Sequence, residues 1–421
     1  MVNFSERRKK VFEAMADNSV LLVFSGRAKV CSEDESFPFV CNKNFFYLTG
    51  IEQENSALIL INSVGGKKEY LFVDEYDEVK EKWTGKRLAF EEARKIADIK
   101  NVQSTNTFNS MLELALAKTN NVYGAINKLY LDLSPELKIG NELSTVEYKK
   151  IIESKLPHVS ILNAYPIIKE LRMVKDQFEI ENLYEAINLT NLGLADLILN
   201  LHAGEKEHEL SDRFEFYGRS HSRHKLAFST ITAAGMNGVI LHHPIEQQNE
   251  RIKEEDLILF DLGFSHNGYS ADVSRTYPVS GKFNPLQEKI YSAVLKCNKA
   301  VIDYIRPGLT INDLQEFALA DLRESCILEG LMAPEEEIKK YYYHNISHFL
   351  GLDTHDVGSR DIPLKPGHVI TVEPGLYFKE HGIGVRIEDD VLITDKGCVV
   401  LTKDIKKEIA DIEKMFRGKK R

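Results

Sequence analysis

Asp261-Leu-Gly-Phe-Ser-His-Asn-Gly-Tyr-Ser-Ala-Asp272 decides how the second half of this chain folds. The run Asp256-Leu-Ile-Leu-Phe-Asp261 is apolar enough for a buried strand, Asn267-Gly268 is a strong two-residue hairpin signal, and Tyr269 to Tyr277 reads as the returning strand. A turn centred on Asn267-Gly268 pairs Asp261 with Ser274 and Gly263 with Asp272. Side chains alternate across a strand, so Asp261 and Asp272 share one face on a diagonal, about 5 to 8 Å apart at Cβ. Two divalent ions about 3.5 to 4 Å apart fit between such acids. Taken alone, the pair reads more readily as two acids near an exposed hairpin.

The pattern recurs. His368-Val-Ile-Thr-Val-Glu373-Pro-Gly375 echoes Asp256-Leu-Ile-Leu-Phe-Asp261-Leu-Gly263, with an acid at the same place before a residue and a Gly. The chain then turns at Lys379 to Gly382 and returns as Ile383-Gly-Val-Arg-Ile-Glu388, which sets Glu388 opposite Glu373. Upstream, Leu201-His-Ala-Gly-Glu-Lys-Glu-His-Glu-Leu210 parallels Ile305-Arg-Pro-Gly-Leu-Thr-Ile-Asn-Asp-Leu314. These echoes mark an internal duplication whose halves face each other across one site.

Histidines complete the set. In His344-Asn-Ile-Ser-His348-Phe-Leu-Gly-Leu-Asp-Thr-His355-Asp the first two would share a face if the segment were helical, but no Glu follows His344, so the two-histidine zinc signature is absent. His344 alone fits a hydrogen-bonded core residue as well as a functional one. Ile240-Leu-His242-His243-Pro offers another imidazole from the other repeat. Four carboxylates, Asp261, Asp272, Glu373 and Glu388, balance the charge of two divalent ions, and with His348 they make an oxygen-rich donor set that favours a hard cation. Mn²⁺ ranks first, ahead of Co²⁺, Zn²⁺ and Fe²⁺.

These segments resemble the pita-bread, creatinase/prolidase-like metallopeptidases, a family that includes aminopeptidase P, prolidase and methionine aminopeptidase. Asp261 to Thr276, His344 to Asp356, Thr371-Val-Glu373-Pro-Gly-Leu-Tyr377 and Arg386-Ile-Glu388-Asp carry the likeness. It implies that Asp261 chelates one metal, Asp272 and Glu388 bridge both, His348 binds one, and Glu373 binds a metal while shuttling a proton. It further implies that His242 and His355 contact the scissile carbonyl or its developing oxyanion, and that a metal-bridging hydroxide attacks the peptide.

Length, charge and cysteine usage agree with a two-domain enzyme. The 421 residues, 43% hydrophobic, suffice for two cores, and a net charge of −10 with a basic run only at Arg417-Gly-Lys-Lys-Arg421 argues against nucleic acid as a partner. Cys31, Cys41, Cys297, Cys326 and Cys398 lack a Cys-x-x-Cys spacing, which points to a reducing compartment. The charged N-terminal stretch has no apolar core of signal length and no run spans a bilayer, so the cytoplasm is the expected location.

In the first part, Ser19 to Phe24, Ala57 to Ile61, Glu69 to Val73 and Asn127 to Asp132 read as strands, and Phe90 to Ile96 and Met111 to Ala117 as helices. A long helix opens at Ile167. The expected architecture is therefore α/β (α+β): a creatinase-like domain over 1–165 and a catalytic pita-bread domain with a pseudo-two-fold repeat over 166–421. Phe45-Phe-Tyr-Leu-Thr-Gly50 and Lys82-Trp83-Thr-Gly-Lys-Arg-Leu88 resemble the aminopeptidase P N-terminal domain, in which the tryptophan reaches a substrate pocket. Without that likeness Trp83 reads as a packing residue. Asp34 corresponds to a polar residue on the substrate side, while Val40-Cys41-Asn-Lys-Asn44 departs from the family's Arg-Gln pair. His344, Tyr377 and Arg386 line the expected leaving-group side. The resemblance implies an aminopeptidase that releases the first residue from peptides with an Xaa-Pro N-terminus, assembled as a homodimer or homotetramer. A prolidase restricted to Xaa-Pro dipeptides and a non-catalytic binding module of the same shape are the alternatives.

Overall fold

The structure, a computed structural model, describes residues 4–33, 35–117, 122–134, 143–222 and 225–417. The chain forms two compact units, Met1–Arg172 and Met173–Arg421.

The first unit is an open α/β layer. Strands Ser19–Phe24 (β1), Ala57–Ser63 (β2), Gly66–Val73 (β3), Asn101–Ser104 (β4), Lys128–Leu131 (β5) and Ser160–Asn163 (β6) form one sheet in the order β4-β3-β2-β1-β5-β6. Only β2 runs antiparallel to its neighbours. Val20, Leu22, Ile59, Ile61, Phe72 and Leu129 on these strands pack with Phe108, Leu112 and Leu116 of the helix Phe108–Leu116. Both expected helices and all four expected strands are present, with small shifts at their ends. Phe45 to Gly50 is a helix, Lys43–Thr49, closed by Gly50 at φ 68°, where only glycine is unstrained.

The helix expected to run on from Ile167 is shorter. It spans Tyr165–Met173 and stops, and a separate helix begins at Gln177. Asp176 causes the break: its carboxylate accepts from Glu179 N and the Glu179 side chain accepts from Asp176 N, a capping box that starts a new helix.

The second unit shows the repeat. Helices Gln177–Asn200 and Glu207–Ser222 lead into strands Ile231–Ala234, Leu257–Leu262 and Val273–Pro278; helices Pro285–Tyr304 and Ile311–Leu328 lead into Val369–Val372, Gly375–Phe378, Ile383–Arg386 and Asp389–Ile393. The helix pairs turn alike, since Gly204 and Gly308 both sit at φ 93° and donate from N to Ile252 O and Leu364 O. The strand Ile231–Ala234 flanks Leu257–Leu262, and in the second half the bridge between Phe349 and Ile370 takes that place.

Candidate metal centre

Two hairpins build the centre. In the first, Asp261 pairs with Ser274, and Ser265 and His266 pair with Ser270 and Tyr269 around a turn with Asn267 at φ 47° and Gly268 at φ 84°, the backbone of a type I′ turn. The register is unbroken, so Gly263 faces Asp272. A Cβ on Gly263 would lie 2.0 Å from Ala271 O, so the crossing needs glycine there. The returning strand is not continuous as expected: it divides into Tyr269–Ser270 and Val273–Pro278. At the break the Asp272 N–H, which points away from the partner strand, donates to Asp390 Oδ2 at 3.2 Å.

In the second hairpin Val372 pairs with Asp389 and Gly375 with Arg386, in one common register that leaves Glu373 facing Glu388. The segment carrying His344 and His348 is irregular, not helical. Thr371 N donates to His348 O and Glu373 N to Ile346 O, which lays this segment beside the strand that ends at Glu373.

The side chains converge. His348 Nδ1 donates to Phe349 O at 3.0 Å, leaving Nε2 to face Asp272 Oδ2 at 3.3 Å, Glu373 Oε1 at 3.7 Å and Glu388 Oε1 at 4.0 Å. Ligand atoms of Asp272, His348 and Glu388 lie within 4.8 Å of one another. Burial, then Glu388 and Asp261, pushes the Asp272 carboxyl well above the usual range, and burial with Glu388 does the same to Glu373. Burial, then Asp261, raises Glu388 to about 7. Asp261 Oδ1 is buried with no hydrogen-bond partner. Carboxylates crowded at the expense of their own ionisation, with an orphaned oxygen among them, fit divalent cations.

A polar frame surrounds them. Arg386 donates to Asp261 Oδ2 at 2.7 Å, to Ser274 Oγ at 2.7 Å and to Tyr377 Oη at 3.1 Å, so its guanidinium is spent inside the protein. Ser274 Oγ in turn donates to Glu388 Oε2 at 2.8 Å. Tyr377 Oη meets His344 Nε2 at 2.8 Å, and His344 Nδ1 meets Asn345 O at 2.8 Å. Burial and then Arg386 lower His344 to about 3, which keeps the ring neutral. Behind the ligands Arg275 pairs with Asp389 at 2.8 Å. Although burial acts upward on Asp389, Arg275 and Lys407 hold it down at about 2.

A cavity of about 480 Å³ opens on this centre, lined in part by His242, His355, Asp261, Asp272 and Phe228. The His355 ring lies 4.3 Å from that of His348. Burial, then His348 and His242, lowers its pKa, so it is neutral at physiological pH. His243, beside His242, is buried and bonds Glu207 Oε2 at 3.1 Å, a structural role. The candidates of the second unit therefore gather in one place. Trp83 lies in the first unit, on the helix Glu78–Thr84, and is 84% exposed, which removes the reading of a packed side chain. Asp34 lies outside the described residues.

Ser274, Asp389 and Asp390 support the centre without being among the site residues that the sequence points to. Three consecutive acids, Glu388-Asp389-Asp390, in an otherwise apolar strand were the available signal, because buried acids need dedicated partners.

Residues 181–395 match metallopeptidase family M24 (Peptidase_M24), and residues 4–123 match the aminopeptidase P N-terminal domain (AMP_N). A Haemophilus influenzae protein named Xaa-Pro aminopeptidase is 33% identical over 98% of this chain and 96% of its own length. Among solved structures, a Bacillus anthracis chain assigned to aminopeptidase P is 40% identical with a TM-score of 0.94, covering 99% of this chain and 98% of that one. Zinc-substituted Escherichia coli aminopeptidase P in complex with product is 27% identical with a TM-score of 0.88, at 99% and 98% coverage.

Proposed function

Because this chain belongs to metallopeptidase family M24 and carries an aminopeptidase P N-terminal domain, we propose that it is an Xaa-Pro aminopeptidase, a hydrolase that releases the first residue of peptides with proline second. The observation that carries the reading is the convergence of Asp272, His348 and Glu388 within 4.8 Å, with Glu373 alongside. The names of the similar proteins support the choice of substrate.

Asp261, Asp272, His348, Glu373 and Glu388 would together hold a pair of divalent ions, with Asp272 and Glu388 common to both and Asp261, His348 and Glu373 each serving one. Two divalent ions, when bound, supply Lewis acidity that polarises the carbonyl and acidifies water. Mn²⁺ is the preferred ion, on the strength of the oxygen-rich donors. Glu373 Oε accepts the proton of the attacking water and returns it to the leaving nitrogen. His355 and His242 meet the oxygen on which charge develops. An amide before proline has no N–H, so recognition falls to the ring and its surroundings, for which His344, Tyr377, Arg386, Trp83 and Asp34 are the candidates.

The same reading assigns 1–165 to the N-terminal domain and 166–421 to catalysis, places the enzyme in the cytoplasm, and makes it a homodimer or homotetramer. No described helix is long and apolar enough to cross a membrane.

Hydrolysis of Xaa-Pro-Xaa tripeptides, matched Xaa-Ala-Xaa tripeptides and Xaa-Pro dipeptides with added Mn²⁺ tests it. Release of the first residue from the proline tripeptide alone or preferentially supports the reading; turnover confined to dipeptides makes the enzyme a prolidase, and no turnover with metal bound makes it a binding module.

A further inference from the structure

Lys175 and Asp356 form an ion pair that the chemistry described so far does not use. Lys175 Nζ and Asp356 Oδ2 are 3.1 Å apart, and each side chain is only 1% exposed. Two charges are expensive to bury, and such a pair is rarely worth its desolvation as a source of stability alone. Its position is informative. Asp356 directly follows His355, and its N–H donates to Phe349 O at 2.8 Å, closing the loop that begins at His348. Within that loop Gly351 N donates to Asp353 O at 3.1 Å. A Cβ on Gly351 would lie 2.3 Å from Asp356 Oδ2 and 2.9 Å from Lys175 Cε, so the loop is wrapped tightly around the ion pair. At the other end Lys175 N donates to Gly367 O at 2.8 Å, so the lysine backbone is itself anchored where the chain approaches the strand Val369–Val372.

We infer that Lys175 is a positioning residue for the proposed reaction, acting through Asp356 to hold the 349–356 loop and thereby the His355 imidazole beside His348. The inference rests on the Xaa-Pro aminopeptidase reading only for the choice of assay. Lys175 Nζ meets Asp356 Oδ2 and, at 3.5 Å, Met173 O, neither of which belongs to a candidate metal ligand. It fixes the backbone at Asp356, so that the ring one residue earlier keeps its 4.3 Å separation from His348. Displacing a catalytic side chain by about 1 Å costs on the order of 10²-fold in rate.

The test compares Lys175→Met, Lys175→Arg and Lys175→Met/Asp356→Asn with the parent full-length protein, at saturating Mn²⁺ and well below the melting temperature. Lys175→Met should lose about 10- to 100-fold in kcat with KM changed by less than about threefold, because ordering of a reacting group rather than substrate contact is lost. Lys175→Arg should recover most of that kcat. The double variant should be no slower than Lys175→Met, since both changes cut one link. Amide exchange across 349–356 in the metal-free protein should rise in Lys175→Met and not in Lys175→Arg. A folded Lys175→Met with kcat within twofold of the parent overturns the inference, as do losses that multiply in the double variant. If Lys175→Met does not fold, the double variant, which buries no unpaired charge, decides: parental kcat there overturns the proposal. Loss of all proline-directed cleavage in the parent would instead count against the activity reading, while the exchange measurement would still test the loop.

Discussion

In the first hairpin of the second unit Asp261 and Asp272 stand on a diagonal, whereas in the second hairpin Glu373 and Glu388 face each other directly. The turns differ as well: the first is a two-residue Asn267-Gly268 turn, the second a longer one through Lys379 to Gly382, with Gly382 at φ 61°. Each half also leans on the other. Arg386 of the second half holds Asp261 of the first, Ser274 of the first donates to Glu388 of the second, and Asp390 of the second takes the N–H of Asp272. A duplicated pattern thus supplies the candidate ligands, while unlike residues exchanged between the halves aim them. Neither half is a site without its partner.

Removing a side chain proposed to serve both ions should have the largest effect. Asp272→Asn or Glu388→Gln should lower kcat/KM by more than about 10³-fold and lose metal, since several kcal/mol of electrostatic stabilisation go with it. Metal analysis alongside kinetics checks this, and full activity in either variant contradicts the shared-ligand assignment. His355→Ala comes next: kcat should fall roughly 10²- to 10³-fold while metal content stays unchanged. If His348→Ala and His355→Ala altered metal content alike, the division of labour between them would be wrong. Cutting a bond between the halves should cost less. Arg386→Met frees Asp261 Oδ2 and should reduce activity or metal affinity about 10- to 100-fold, as outer-sphere partners generally do.

How stability responds to pH sharpens the comparison without an activity assay. Burial and mutual repulsion raise Glu388 from 4.5 to about 7 and push Asp272 and Glu373 upward too. Because these folded pKa values exceed the unfolded ones, the metal-free protein should be most stable below about pH 4.5 with respect to these groups. It should then lose stability as pH rises through about 7. With divalent metal the acids are held ionised, so the decline across that window should vanish and stability should instead fall as pH drops below about 4.5. Denaturation midpoints at several pH values, with chelator and with Mn²⁺, measure it; equal slopes would mean the acids are not the metal's ligands. The smallest effect is expected at Trp83. Trp83→Ala should lower kcat/KM on Xaa-Pro tripeptides a few-fold and leave metal content unchanged; an unaltered kcat/KM would remove Trp83 from the substrate side.

What could be read in the sequence was local. Asn267-Gly268 sets a register by itself, and alternation then decides which face Asp261 takes; the same reasoning carries Glu373 and Glu388 across the second turn. The His344 to His348 interval matches a helical turn, but spacing alone does not decide conformation, and the segment is irregular, lying beside the strand that leads to Glu373. The break before Asp176 went unread because apolar spacing persists across it while the capping box ends one helix and starts another. The aiming bonds were beyond reach for a plainer reason. Arg386 and Asp261 are 125 residues apart, Asp272 and Asp390 118, and Ser274 and Glu388 114, and no local pattern specifies such a pairing. The same holds for Lys175 and Asp356, separated by 181 residues.

The central claim is that both halves together hold two divalent ions. Titrating metal-free protein with Mn²⁺ by calorimetry, with elemental analysis after dialysis, tests it most directly. The account predicts close to two equivalents per chain, falling by at least one in Glu388→Gln; a parent protein that binds none, or a variant that still binds two, would contradict it.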